Sequence, residues 1–148
     1  MFGTTKLTRI EGSTPKTILF CTEGVVSIGI VMSQTGATTV DGRKIHKAGT
    51  PVTGNLMNRA TEFTKATTTP GKAGNLVVPD GGGTVELPEP KVSNAVGILM
   101  NDVDVTNGKA NAHIYLCGVI DVNKIDSTTA ALITDEVKKA LPNLIFVK

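Results

Sequence analysis

Tryptophan is absent from this 148-residue chain, tyrosine occurs once, at Tyr115, and phenylalanine four times. So thin an aromatic supply withholds the stacking platforms that single-stranded nucleic acid needs. Charge of one sign is missing too. Fifteen Lys and Arg against 13 Asp and Glu leave a formal net charge of +2, spread without a basic stripe or an acidic tail. Phosphate backbones are held by clustered Lys and Arg, so nucleic acid is not an expected partner. Long apolar runs are lacking as well: the longest patch, Val25–Met32, is broken by Ser27 and Gly29 and is too short for a bilayer. The segment up to Phe20 carries Lys6, Arg9, Glu11 and Lys16 and has no apolar h-region. No secretory signal and no membrane partner are expected, and the reading is a soluble product made in the cytosol. Cys21 and Cys117 are single and distant, which is no disulfide framework; two buried, reduced thiols are the expectation.

The groupings that carry chemistry are missing in the same way. His46 and His113 are the only histidines, and neither has a Cys, Asp or Glu at ligand spacing, so no metal is expected. Asp102, Asp104 and Gly108 resemble the start of a calcium loop, but the sixth and twelfth places hold Asn107 and His113 instead of Gly and Glu. Gly81–Gly83 is followed by no Lys-Ser or Lys-Thr pair, so a loop tip is a better account than a phosphate cradle. Ser27, Ser33 and Ser127 lack the G-x-S-x-G setting of a nucleophile elbow. No catalytic residue and no cofactor is nominated, and the expectation is a protein that is not an enzyme. A small oligomeric β-fold nucleotide hydrolase, built on Asp41, Asp102 and Asp104 in loops beside strands, is the competing class.

What the chain does have is Val, Ile, Thr and 16 Gly, a mixture that favours strands and turns. Its organising stretch is Ala95–Ile125. Two apolar runs, Ala95–Met100 and Ala112–Val122, flank a polar segment holding Asn107-Gly108, a strong hairpin signal. In the second run both parities are apolar, so that strand is expected to be covered on both faces near the middle of the fold. Thr17–Thr22 and Val25–Ser33 read as two strands joined near Glu23-Gly24. Thr38–Val40 and Arg43–Ala48 read as short strands about an Asp41-Gly42 turn, and Pro51–Gly54 reads as a turn. Asn55–Lys91 is the irregular stretch, with short strands expected at Asn75–Val78 and Thr84–Leu87 around the Gly81–Gly83 tip. Asp135–Leu141 is the expected helix, acids in its first turn and bases in its last, with a further turn from Thr128 before it. Pro142 stops it, and Leu144–Val147 reads as a closing strand beside the hairpin.

One domain is the natural division at this length. It spans residues 16–148, with a long irregular region at 55–91. Residues 1–15 form an arm that buries too little to order alone but suits addition to a sheet edge, with Phe2, Thr4, Thr5, Leu7 and Ile10 as its contact residues. The fold class is mainly β with one short C-terminal helix, an α+β arrangement.

The order of several pieces resembles the lambda-type head decoration, or capsid cement, proteins of tailed bacteriophages. These are Gly42-Arg43-Lys44-Ile45, the Ala48–Val52 turn, Ala95-Val96-Gly97-Ile98-Leu99, an Asp-rich loop, Gly118-Val119, the Thr134–Lys139 helix and the apolar C-terminus. The order agrees across about Gly42–Val147, although the chain is longer than the family's short form between Thr50 and Ala95. The resemblance implies a small mixed β-sandwich or barrel-like domain of the β-tulip type with an extended N-terminal arm. It implies a virion protein, made in the host bacterial cytoplasm, that stabilises the outer surface of an expanded head as a homotrimer at three-fold positions. The implied partner is the major capsid protein of the same phage. A tail-tube or head-tail joining subunit is the alternative within phage structure.

Overall fold

A computed structural model describes residues 17–71, 75–77, 80–86 and 90–148. Along the chain lie β1 (Val26–Met32), β2 (Thr38–Val40), β3 (Arg43–His46), β4 (Pro51–Thr53), β5 (Glu62–Lys65), β6 (Thr68–Pro70) and β7 (Asn75–Val77). They are followed by β8 (Thr84–Glu86), β9 (Lys91–Ser93), β10 (Gly97–Leu99), β11 (Val103–Asp104) and β12 (Ala110–Asp121). A 3-10 turn at Val122–Lys124, α1 (Ser127–Ala130), α2 (Asp135–Ala140) and β13 (Leu144–Val147) complete it. The molecule is mainly β, with two short helices near its C-terminus. The expected extra turn before α2 is thus a separate short helix.

β12, at 12 residues, has partners on both edges. On one edge β1 runs antiparallel from Met32 opposite Ala110 to Val26 opposite Cys117. The same edge is continued by Leu19 opposite Ile120, where Phe20 N–H donates to Val119 O (2.9 Å) and Asp121 N–H to Ile18 O (2.8 Å). The two segments read as strands joined near Glu23-Gly24 therefore lie end to end along β12, with Gly24 (φ +67) in the break between them. On the other edge β10 pairs antiparallel at Tyr115 and Ile114, and β13 pairs parallel from Gly118 to Asp121.

Five strands close on themselves in the order β1-β5-β4-β10-β12 and back to β1. Alternating directions cannot close around an odd number of strands, so one junction must be parallel, and it is β1–β5. Closure removes free edges, and the interior is filled by side chains. Ile30 and Met32 from β1, Val52 from β4, Phe63 from β5, Leu99 from β10, and Ala112 and Ile114 from β12 form one buried cluster. This closure corrects two expectations. Pro51–Thr53 is a ring strand, not a turn: Pro51 stands first in it, where its missing N–H does least harm. Glu62–Lys65, inside the stretch read as irregular, is the strand that closes the ring, and Phe63 is fully buried.

Opposite β1, Val26 faces Cys117 and Ser27 faces Tyr115, so Leu116 is an extra residue and forms a bulge. A bulge reverses the parity of the residues beyond it. Before it, Ala112 and Ile114 enter the ring; across and after it, Tyr115 and Ile120 join a second cluster with Ile98, Ile133, Val137, Leu141 and Leu144. β12 therefore buries one face at a time, against the ring interior up to Ile114 and against the layer that holds α1 and α2 beyond the bulge. Asn111 and His113 are exposed, so the expected cover on both faces along the whole strand is not found.

The Asn107-Gly108 turn forms where expected, with Gly108 N–H donating to Val105 O (3.2 Å), but it is not a two-residue hairpin. Only Gly108 takes positive φ (+132), and between β10 and β12 the chain makes an excursion in which β11 pairs with β3. The two-residue loop is Asp41-Gly42 (φ +49 and +77), which joins β2 to β3. β7 and β8 pair antiparallel about Gly81–Gly83, as expected, and β6 pairs with β9.

Candidate functional site

Phe2, Thr4, Thr5, Leu7 and Ile10, the expected capsid contacts, lie outside the described residues. The described chain begins at Thr17, and its first turn of chain is held firmly. Leu19 N–H donates to Thr17 Oγ1 (3.3 Å), and the Lys124 ammonium donates to Leu19 O (2.8 Å) from the turn after β12. Tyr115 lies against this segment; burial pushes its phenol up, and the Thr17 hydroxyl opposes that shift. The described chain thus starts at a fixed point beside the end of β12.

Register places an apolar surface next to that point. Leu19 pairs with Ile120, and Ile120 with Phe146, on the inner side of the sheet. The alternate residues point the other way: Phe20 lies beside Val119, which pairs with Ile145, and one step along Val26 pairs with Cys117. Phe20 is 63% exposed, Ile145 59% and Val26 50%. The row holds no Lys, Arg, Asp or Glu. It ends on β13, the outermost strand of the sheet, whose far edge pairs with no described residue. An exposed apolar row running to an open strand edge has the apolar area and the free main-chain groups that a second chain could use. Sequence reasoning missed it because reading Thr17–Thr22 as a strand joined to the next near Glu23-Gly24 fixes no register between Phe20 and the later strands; Val119 and Ile145 were visible as the second apolar parity of their strands.

The remaining candidates have structural work. His46 is 2% exposed and its Nε2 meets Ser33 O at 2.8 Å, so the neutral ring carries its proton on Nε2 and donates. Burial and the nearby Lys65 hold its pKa below the ordinary value, partly opposed by the Ser33 bond. His113 is an exposed residue of β12. Asp102 Oδ1 accepts from Ala48 N–H (2.7 Å). Asp104 Oδ1 accepts from Thr106 N–H (2.9 Å) and from its hydroxyl (2.5 Å); these bonds, with Arg43 at 3.8 Å, hold its carboxyl below the usual range. These two acids tie the β10–β12 excursion to β3, and among the described residues no three His, Cys, Asp or Glu gather as a metal site. Asp41 sits at its positive φ in the β2–β3 loop. Both cysteines are unbridged, as expected, but they are not buried: Cys21 is exposed and Cys117 half-buried. No described helix is long and apolar enough to cross a membrane.

No protein-family model, curated protein or solved structure matches this chain.

Proposed function

We propose that this chain is a bacteriophage head decoration protein that binds the outer surface of the expanded head and stabilises it against packaged DNA. The observation that carries the reading is the ordered resemblance across Gly42–Val147, in which the A-V-G-I-L piece supplies β10 of the ring and the apolar C-terminus supplies β13. The uncharged row Phe20–Val119–Ile145, beside the start of the described chain at Thr17, supports it physically. Its partners are the major capsid protein of the same phage and, in a trimer, two further copies of itself.

Affinity in this account comes from number. One arm adding a few main-chain hydrogen bonds, each worth about 0.5–1.5 kcal/mol net, binds weakly. Three arms on one trimer bind with avidity, because the second and third land at the high effective concentration set by the first. A clasp spread over neighbouring capsid subunits resists their separation and recognises geometry that a single coat subunit lacks. No bond of any substrate is made or broken.

The test is co-sedimentation of the purified protein with expanded heads, comparing the full chain with one lacking residues 1–15. The full chain should saturate the heads and the truncated one should fall by at least tenfold in affinity. Unchanged affinity would remove the arm from the account. Assembly into rings or tubes, without attachment to heads, would favour the tail-tube or head-tail joining alternative.

A further inference from the structure

Behind the ring lies a second feature that the decoration reading does not use. A cavity of about 70 Å³ opens between β3, β5 and α1, and its lining includes His46, Lys47, Lys65, Thr50 and Thr129 but no carboxylate. Gly36 lines one side at φ +81, and a Cβ there would lie 3.0 Å from the Lys65 Cβ, so the glycine leaves room for the Lys65 stem.

Two groups in this lining are more than nine-tenths buried and still short of a partner. His46 spends Nε2–H on the Ser33 carbonyl, and its Nδ1 has no hydrogen bond among the described residues. Thr129 is 5% exposed, and its hydroxyl likewise has no protein partner among them. No described buried polar side-chain atom is both sealed from solvent and unpaired, so these two atoms keep some access to solvent, and both residues line the cavity. Thr50 contributes no proton, because its hydroxyl donates to Lys47 O (2.7 Å). The described ion pairs involve Arg43, Lys109 and Lys138, which leaves the Lys47 and Lys65 ammonium groups unpaired among the described residues.

Two cations and a hydroxyl donor, with no acid among them, match a compact anion, and the neutral His46 ring can only accept, from a protonated oxygen of such an anion. Water fills such a space, needing roughly 10–15 Å³ each by the same measure, but leaves the two lysines uncompensated. We infer that this cavity is a binding site for a small tetrahedral oxyanion of the phosphate or sulfate class, held by Lys47, Lys65 and Thr129 against His46. Such a ligand ties α1 to the ring, and because it binds only the folded chain it raises stability with concentration.

The test uses the full chain, titrated with sodium phosphate and, separately, with sodium chloride at equal ionic strength. The expected result is a saturable shift of the His46 ring and Lys65 resonances with phosphate alone, and a thermal midpoint about 5–10 °C higher at a hundredfold excess over Kd. Lys65→Met should weaken phosphate binding at least tenfold, and Thr129→Val severalfold, with unchanged far-UV circular dichroism; Lys47→Met gives a second cation deletion if Lys65→Met fails to fold. Chloride acting as well as phosphate, or phosphate binding surviving the loss of either lysine, would overturn the assignment and leave a water-filled cavity.

Discussion

Phe63 is the side chain on which closure of the ring most depends, and replacing it tests the fold sharply. It is fully buried, in a strand whose other residues are Glu62, Thr64 and Lys65, so nearly all the apolar contact of β5 is this one ring. Burying about 200 Å² of aromatic surface at about 25 cal/mol/Å² is worth about 5 kcal/mol, an upper figure because unfolded chains are partly collapsed. Measured Phe→Ala changes in cores cost about 3–5 kcal/mol, against a total stability of about 5–15. Phe63→Ala should therefore lower the urea midpoint at constant slope and take roughly 10 °C from the thermal midpoint. Gly54 gives an internal control. A Cβ there would fall inside the envelope of three Phe63 ring carbons, so Gly54→Ala should cost about 1–3 kcal/mol in the native chain. In the Phe63→Ala background the clash is gone and the same change should be neutral or slightly stabilising. A loss below about 1 kcal/mol for Phe63→Ala, or an equal Gly54→Ala effect in both backgrounds, would refute the claim that β5 closes the ring through Phe63.

Lys124→Met removes the ammonium that donates to Leu19 O and should cost about 1–2 kcal/mol, with amide exchange quickening first at Leu19 and Phe20. Phe20→Ser and Ile145→Ser, both at exposed sites, should change monomer stability by less than about 0.5 kcal/mol while weakening self-association or head binding in sedimentation. His46 makes stability depend on pH. Its folded pKa lies below the unfolded value of 6.5, so the unfolded chain binds more protons; stability is full above pH 6.5, falls as the pH drops through it, and levels off below the folded pKa. His46→Gln, which can still donate to Ser33 O, should abolish that slope in urea titrations run between pH 8 and pH 5. Asp104 and Glu136, with lowered pKa values, act in a separate acid window near and below pH 4.5.

The parts of this fold that were legible are those in which one local signal outweighed the rest. β12 showed apolar residues on both parities because the bulge at Leu116 switches which parity is buried, and α2 showed acids at its start and bases at its end around Val137. β13 and the β7–β8 pair were bounded by Pro142 and by Gly81–Gly83. β5 was not legible, because a strand with one inward Phe among Glu, Thr and Lys has no period to read. β4 was hidden by Pro51 and Gly54, which signal a turn anywhere except at a strand's first residue and beneath an aromatic ring. The partner of residues 17–22 was not legible: neighbours in sequence usually pair, whereas here β12 is long enough to take both segments on one edge. At the candidate site, Val119 and Ile145 were readable as a second apolar parity, but their alignment with Phe20 is a matter of register between strands about 100 residues apart, which no local pattern carries.

A decoration protein is defined most directly by where it sits. Electron micrographs of heads assembled with and without this chain should differ by evenly spaced protrusions on the outer surface, centred on three-fold positions. Identical shells, or the chain found only inside the head or in the tail, would contradict the proposed function.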